Sequence, residues 1–255
     1  MRIGVCVKHA VDETELKIGP NGAPVLAGAA SKVSTFDKNA VEEALRLKAA
    51  TGAEVVILTV GPADSRKSMK EALAMGADRG VLVVADAEKL DSMAVSELLA
   101  AVVAKHGPFD VVLCSEGASD TYCGQVPPML AERLRVSYGG YARKITVAGG
   151  LATVERSLED SLEVVECPLP FVASVVSEIN EPRYPTLIQI MQAGKKPVEE
   201  TNPQLLGVSG PRQKVAVESM SSQPMNRKHV MIEGSPEESA AKLLDALAKE
   251  GVLPR

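Results

Sequence analysis

Aromatic residues are scarce in this chain of 255: three Phe, four Tyr and no Trp, 3% in all. A core without them is built from Ala, Val and Leu, which suits helices laid closely on a parallel sheet whose strands are apolar on both faces. Cysteine is scarce as well. Cys6, Cys114, Cys123 and Cys167 form no CxxC pair, and with only three histidines (His9, His106, His229) they support neither a zinc site nor a disulfide framework. They read as small buried hydrophobes. An excess of positive charge is missing: the formal net charge is −5, which argues against a general nucleic-acid or anionic-membrane binder. No apolar run approaches the ~20 residues of a membrane span. The opening MRIGVCVKHAVDE has neither the apolar core of a signal peptide nor the Arg/Ser bias of a transit peptide, so a reducing cytoplasm is expected. Also missing are GxGxxG after the first strand, GxxxxGKS/T and GxSxG, so no Rossmann fingerprint, P-loop or nucleophile elbow is present.

What is there is a soluble composition, 45% hydrophobic and 24% charged, long enough for one sizeable domain plus an appendage, or two small ones. The first two-thirds alternate. Strand patterns at 2–8, 54–60, 79–85 and 109–115 are interleaved with helical patterns at 37–50, 64–75, 92–105 and roughly 124–134. In the first helix Val41, Ala44, Leu45 and Lys48 recur at helical spacing, and Gly52 ends it. Alternation with short connections predicts right-handed βαβ units and a doubly wound parallel sheet. Then the pattern changes. KITVAGGLATVERS reads as a hairpin around Gly149-Gly150, with more strand-like sequence at LEVVECP and PFVASVV. Residues 198–234, poor in periodicity, read as an extended arm. The arm ends in a helix over 235–251, with Ser235 as N-cap, Pro236 at the first helical position, Glu238 completing a capping box and Gly251 as stop. Its stripe of Ala240, Leu243, Leu244 and Leu247 is expected to pack on its own domain or on a partner. The expected division is 1–197 and 198–255.

In an open parallel sheet, ligands sit beyond the carboxyl ends of the strands near a topological switch point. The stretch Ser115-Glu116-Gly117-Ala118-Ser119-Asp120 leads into TYCGQVPPMLAERL. Its Gly117 and Gly124 allow close backbone approach, and Pro127-Pro128 suit a first helical turn. A helix start carries free N–H groups and a positive dipole end, the reason phosphates bind there; an ordinary βα loop reads the same way. The carboxylate pairs Glu42/Glu43, Glu159/Asp160 and Glu237/Glu238 read as solvated charges rather than acid/base dyads.

Residues 154–197, VERSLEDSLEVVECPLPFVASVVSEINEPRYPTLIQIMQAGKKP, closely resemble the signature of the β subunit of electron transfer flavoproteins. VCVKHAVDE, FDKNAVEEALRLK and VGPADSRKSMKEALAMGADRGV match in order. The resemblance covers nearly the whole chain and is weakest across 198–234. It implies an adenine-nucleotide-binding α/β domain of the α-hydrolase-like type, with a β-hairpin extension and a C-terminal arm wrapped on a larger, FAD-carrying α subunit. It implies a recognition loop at 180–191 that docks a dehydrogenase or quinone oxidoreductase, with Leu187 as the inserting anchor, Tyr184 and Ile188 beside it, and Ile190 and Met191 in the core. Gly194 departs from the Lys of the family's Ala-Lys-Lys-Lys end.

The same resemblance implies a nucleotide held by Cys6, Lys8, Ser34, Val60, Gly61, Ser115, Asp120, Cys123, Gly124, Gln125 and Val126. Asp120 is the strongest hydrogen-bonding candidate, with helix capping as its other reading; Ser34 reads equally as a turn residue. Members that hold AMP read Asn-Gln-Thr-Gly where this chain has Gly124-Gln125-Val126-Pro127. Bifurcating members hold a second FAD behind a loop close to Thr-Ala-Gln-Val-Gly-Pro. Cys123-Gly124-Gln125-Val126-Pro127-Pro128 is nearer the second, though Pro127 replaces its Gly and Thr121-Tyr122 replace Gly-Asp. FAD is therefore expected, with AMP the alternative, and NADH and ferredoxin enter as substrate and acceptor if electrons are bifurcated. An enzymatic activity of the chain by itself is left open. A stand-alone nucleotide-binding regulatory homodimer is the reading from a different class, and it leaves NEPRYPTL and the long arm unexplained.

Overall fold

A computed structural model of the chain describes residues 1–86, 89–210, 213–222 and 228–253. The strands are β1 (Arg2–Cys6), β2 (His9–Val11), β3 (Lys17–Ile18), β4 (Pro24–Val25), β5 (Ser31–Val33), β6 (Glu54–Gly61), β7 (Arg79–Val84), β8 (Val111–Ser115), β9 (Ser137–Ala148), β10 (Leu151–Ser157), β11 (Leu162–Pro168), β12 (Phe171–Val175) and β13 (Val198–Thr201). The helices are α1 (Thr35–Thr51), α2 (Arg66–Met75), α3 (Ser92–His106), α4 (Val126–Leu134), α5 (Leu187–Ala193) and α6 (Pro236–Lys249). The chain is thus α/β, and the elements of the alternating part are found within two or three residues of their expected ends, whereas β9 begins at Ser137, well before the Lys144 at which the hairpin was expected to start.

Nine strands form one sheet in the order β11-β10-β9-β12-β8-β1-β6-β7-β13. From β9 to β13 every neighbouring pair is parallel, while β9, β10 and β11 pair antiparallel as an extension. The chain builds outward from β1 through β6 to β7, then returns to lay β8 on the other side of β1. That reversal makes the β1/β8 crevice the switch point of the sheet. Both faces are covered. Val41, Ala44 and Leu45 of α1 and Met69 and Leu73 of α2 pack with Ile3, Val5, Val55 and Ile57. On the other face Leu98 and Val102 of α3 and Leu130 of α4 pack with Val56, Leu58, Val81 and Val112. Strands buried on both sides are why the central segments are continuous apolar runs.

α1 starts at Ser34 and stops at Gly52, whose left-handed φ of 71° and N–H bond to the Lys48 carbonyl close the last turn. The close packing an aromatic-poor core allows is clearest at Gly80, where a Cβ would run into the Met69 side chain.

Two sequence expectations change. The stretch from 198 does not begin as an arm: Val198–Thr201 is β13, the sheet's edge strand beside β7, and Leu206 and Val208 pack against the α3/α4 core. The compact unit runs through Met220, past the expected boundary at 197. The second unit, Ser221–Arg255, contains α6, where Ser235 accepts from the Glu238 N–H and Glu238 completes the capping box. Leu243 and Leu244 of its stripe are exposed.

Candidate functional site

Two backbone ends meet at the switch point, the β1 exit at Lys8 and the β8 exit at Ser115. Lys8 reaches across it: its Nζ lies 2.6 Å from Asp120 Oδ1 and 3.3 Å from Thr121 Oγ1. Asp120 also accepts the Val11 N–H at 3.3 Å. The helix that follows has Gln125 at its N-cap with no side-chain cap bond. Asp120 is therefore a crevice residue bound to the β1 exit, and the capping reading does not describe it.

Below this pair lies a carboxyl group that the sequence reading passed over. Asp37, on the first turn of α1, is 5% exposed and accepts the Lys8 N–H at 2.7 Å. Its other oxygen meets the Ser115 hydroxyl, which also lies 2.8 Å from the Gly117 carbonyl. Burial pushes the Asp37 pKa up to about 7, against the lowering effect of the Lys8 N–H and the Ser115 hydroxyl. The hydrogen count agrees. Ser115 has one proton and two acceptors, so a protonated Asp37 donating to Ser115 Oγ lets Ser115 donate to Gly117 and satisfies all three groups. The signal was available: Asp37 follows Ser34 at capping-box spacing. Ser34, fully buried, makes no side-chain cap bond; its Oγ instead accepts the Ser119 N–H at 3.2 Å. Lys8, Ser34, Ser115 and Asp120 are thus brought together, with Asp37 and Ser119 added.

The remaining expected residues lie around this group. Cys6 faces the α3/α4 side beside Cys114, whose thiol is pushed up by donating its hydrogen bond to Cys6 and by burial. Val60 and Val126 are half-buried on that same side, and Gly61 ends β6 with its carbonyl accepting the Ala85 N–H. Cys123 and Gln125 are exposed, with no hydrogen bond from the Gln125 side chain to the helix start. The loop doubles back at Gly124, φ 63°, where a Cβ would approach the Glu116 carbonyl to 3.0 Å. Tyr122 takes φ 46° without being glycine, a conformation costing about 1–3 kcal/mol. Its ring packs over Gly117 and edge-on to Phe36, centroids 5.4 Å apart.

The α4 start is leaner in donors than most. Pro127 and Pro128 occupy its second and third positions, so Val126 supplies the one N–H of the first three helical residues. The Ser119 Oγ is buried without a partner. An apolar hollow of 450 Å³, lined by Val103, Phe109, Leu134 and Pro170 among others, lies at the opposite, amino end of β8 and β12 and has no part in this site. Among the described residues no His/Cys/Asp/Glu group could hold a metal, and no helix is long and apolar enough to cross a membrane.

A second feature stands apart from the crevice. Tyr184 is 92% exposed, Leu187 80%, Ile188 62%, Ile190 51% and Met191 69%. Ile190 and Met191, expected in the core, face outward with the rest. α5 is only seven residues long, and its buried face is supplied by Ala193. Its start is fixed by Thr186, which accepts the Gln189 N–H in a reciprocal capping box.

Residues 25–206 match the family model described as the electron transfer flavoprotein domain. The chain is 32% identical over 263 residues to the electron transfer flavoprotein subunit beta of Thermoanaerobacterium thermosaccharolyticum, covering 99% of this chain and 100% of that one. It is 33% identical over 259 residues to the protein of the same description from Clostridium acetobutylicum, covering 98% and 99%.

Proposed function

The chain belongs to the electron transfer flavoprotein β-subunit family, and from that premise we propose that it works beside an FAD-carrying α subunit and holds a nucleotide cofactor, FAD, at the β1/β8 switch point. The observation that carries this reading is the loop 115–126. It sets an unpartnered buried hydroxyl on Ser119, the Lys8–Asp120 pair and the Val126 N–H around the crevice where parallel sheets take ligands. FAD is favoured over AMP because Gly124 and Val126 stand where AMP-holding members have Asn and Thr. The exchange removes polar groups and volume, which suits an apolar ring.

The chemistry that FAD supplies when bound is hydride acceptance from NADH and delivery of the two electrons to separate acceptors, ferredoxin and the α-subunit FAD. The chain's own part is binding and placement. Val126 and Ser119 offer N–H and O–H donors to the phosphates and sugar. Lys8 and Asp120 hold the two strand exits at a fixed separation. Cys6, Val60 and Val126 give the ring a wall without competing hydrogen bonds. The exposed turn at Tyr184, Leu187 and Ile188 docks a dehydrogenase or quinone oxidoreductase, since apolar side chains on a Pro-stiffened, capped turn form a contact with little ordering cost.

The test is to purify the heterodimer, denature it and count the released nucleotides. Two FAD per heterodimer supports this reading; one FAD with one AMP replaces it by the AMP-holding subunit of a simple carrier. Asp120→Ala is expected to lower nucleotide retention after dialysis by about tenfold, the scale of one hydrogen bond to a charged group. Full retention would assign Asp120 to the Lys8 contact alone.

A further inference from the structure

Glu42 and Glu43 are neither solvated nor idle. Each is 5% exposed, and they lie with Asn39 and Arg46 along one stripe of α1, three and four residues apart. That stripe grips the root of the exposed turn. Glu42 takes the Arg183 guanidinium in a fork, Nε to Oε2 at 2.7 Å and Nη2 to Oε1 at 2.8 Å, and also accepts the Arg183 main-chain N–H at 3.2 Å. Burial would raise the Glu42 carboxyl, but the side-chain and backbone bonds from Arg183 hold it below its ordinary range. Asn39 donates to the carbonyls of Asn180 and Ser177 at 2.8 and 3.0 Å. Asn180 donates back to the Asn39 carbonyl at 3.0 Å and to Glu43 at 3.2 Å. The far end is tied to the end of α2, where Lys196 Nζ donates to the Leu73 carbonyl at 2.8 Å and to the Ala77 carbonyl, just past the helix, at 2.6 Å.

We infer that Glu42, supported by Asn39 and Glu43, is a positioning residue for partner docking: its fork on Arg183 sets the direction in which residues 184–191 leave the body. This rests on the docking reading above and names what holds that surface in place. An apolar contact would tolerate sliding and rotation. A bidentate carboxylate–guanidinium pair that also binds the main chain fixes both the side chain and the backbone at residue 183. The five exposed apolar side chains, Tyr184, Leu187, Ile188, Ile190 and Met191, would bury themselves against the body if the turn were free to fold back. The clamp at one end and Lys196 at the other keep them outward.

The test uses the heterodimer and a flavin-dependent dehydrogenase of the source cell, selected as one that reduces the wild-type heterodimer. Glu42→Gln keeps shape but loses the charge and one of the two acceptors. It is expected to raise the apparent KM for that dehydrogenase about tenfold, with kcat at saturation, nucleotide content and reduction by dithionite unchanged. Amide exchange over 184–192 should speed up by tenfold or more. Arg183→Gln, altered on the half-exposed partner, should reproduce both effects if Glu42→Gln folds poorly, and Arg183→Lys should give an intermediate KM. If Leu187→Ala raises KM while Glu42→Gln and Arg183→Gln leave KM and exchange at wild-type values, the positioning role is overturned and docking stands. If exchange rises in the clamp variants while Leu187→Ala leaves KM unmoved, the clamp holds the turn but docking lies elsewhere, and the inference falls with that reading.

Discussion

Leu187→Ala is expected to reduce the efficiency of electron transfer with the partner dehydrogenase by about thirtyfold or more, the ~2 kcal/mol of a truncated hot-spot residue. Stopped-flow reduction of the heterodimer across a range of dehydrogenase concentrations measures it. The side chain is 80% exposed, so its loss leaves no cavity and the thermal midpoint should stay within a degree or two of wild type. Two features make an anchor here effective. Pro182 and Pro185 restrict the backbone before it, and Thr186 and Gln189 cap the short helix that carries it, so little order has to be acquired on contact. Because Ile190 and Met191 are also exposed, a residual contact is expected, and Leu187→Ala/Met191→Ala should fall further than either single change. Unaltered transfer in the double variant, or flavin lost from the single one, would contradict docking at this turn.

Asp37→Asn is expected to stabilise the protein at pH 8.5 and to leave it unchanged near pH 4. The carboxyl has an ordinary value of 3.8 and a folded value of about 7, so between them the folded chain holds a proton that the unfolded chain does not. Stability contributed by this group is complete below 3.8, declines as pH rises toward 7 and is lost above it. The three-unit difference corresponds to about 4 kcal/mol at most, and relaxation reduces it, so about 2–4 kcal/mol is expected. Asn reproduces the protonated pattern: Oδ1 accepts from Lys8 N–H, and Nδ2 donates to Ser115. Melting curves of both proteins from pH 4 to 9 should converge at the acid end and separate through neutrality. Parallel curves at every pH would mean that Asp37 is ionised throughout.

The layered sheet and its helices were legible because the central strands are continuous apolar runs and the helices repeat with a period of 3.6, and Gly52 and Ser235 mark ends by chemistry that needs no tertiary context. β13 was not legible. Val-Glu-Glu-Thr has one apolar side chain, and an edge strand gains its place from backbone bonds to β7 rather than from a pattern. Glu42 and Glu43 were misread because periodicity places every carboxylate outside. Their burial follows from Arg183 and Asn180, about 140 positions away, and a partner at that separation leaves no local trace. The crevice was half legible. Lys8, Ser115 and Asp120 follow from strand ends and turn residues, whereas Asp37 was passed over, because only the fold places it beneath both exits. Ile190 and Met191 carry a core composition on a surface, the usual mark of a contact made by another molecule.

The chain between β12 and β13 travels from the middle of the sheet to its far edge. In the strand order it passes β8, β1, β6 and β7, five spacings or roughly 24 Å at about 4.8 Å each, and it is fastened to α1 on the way out and to α2 on the way in. It is a belt drawn over the helical layer, with the exposed turn as its buckle. Shortening it by a few residues should peel the edge strand away before it moves the turn, so the side chains of this exposed turn are freer to change than the length of the segment that carries them.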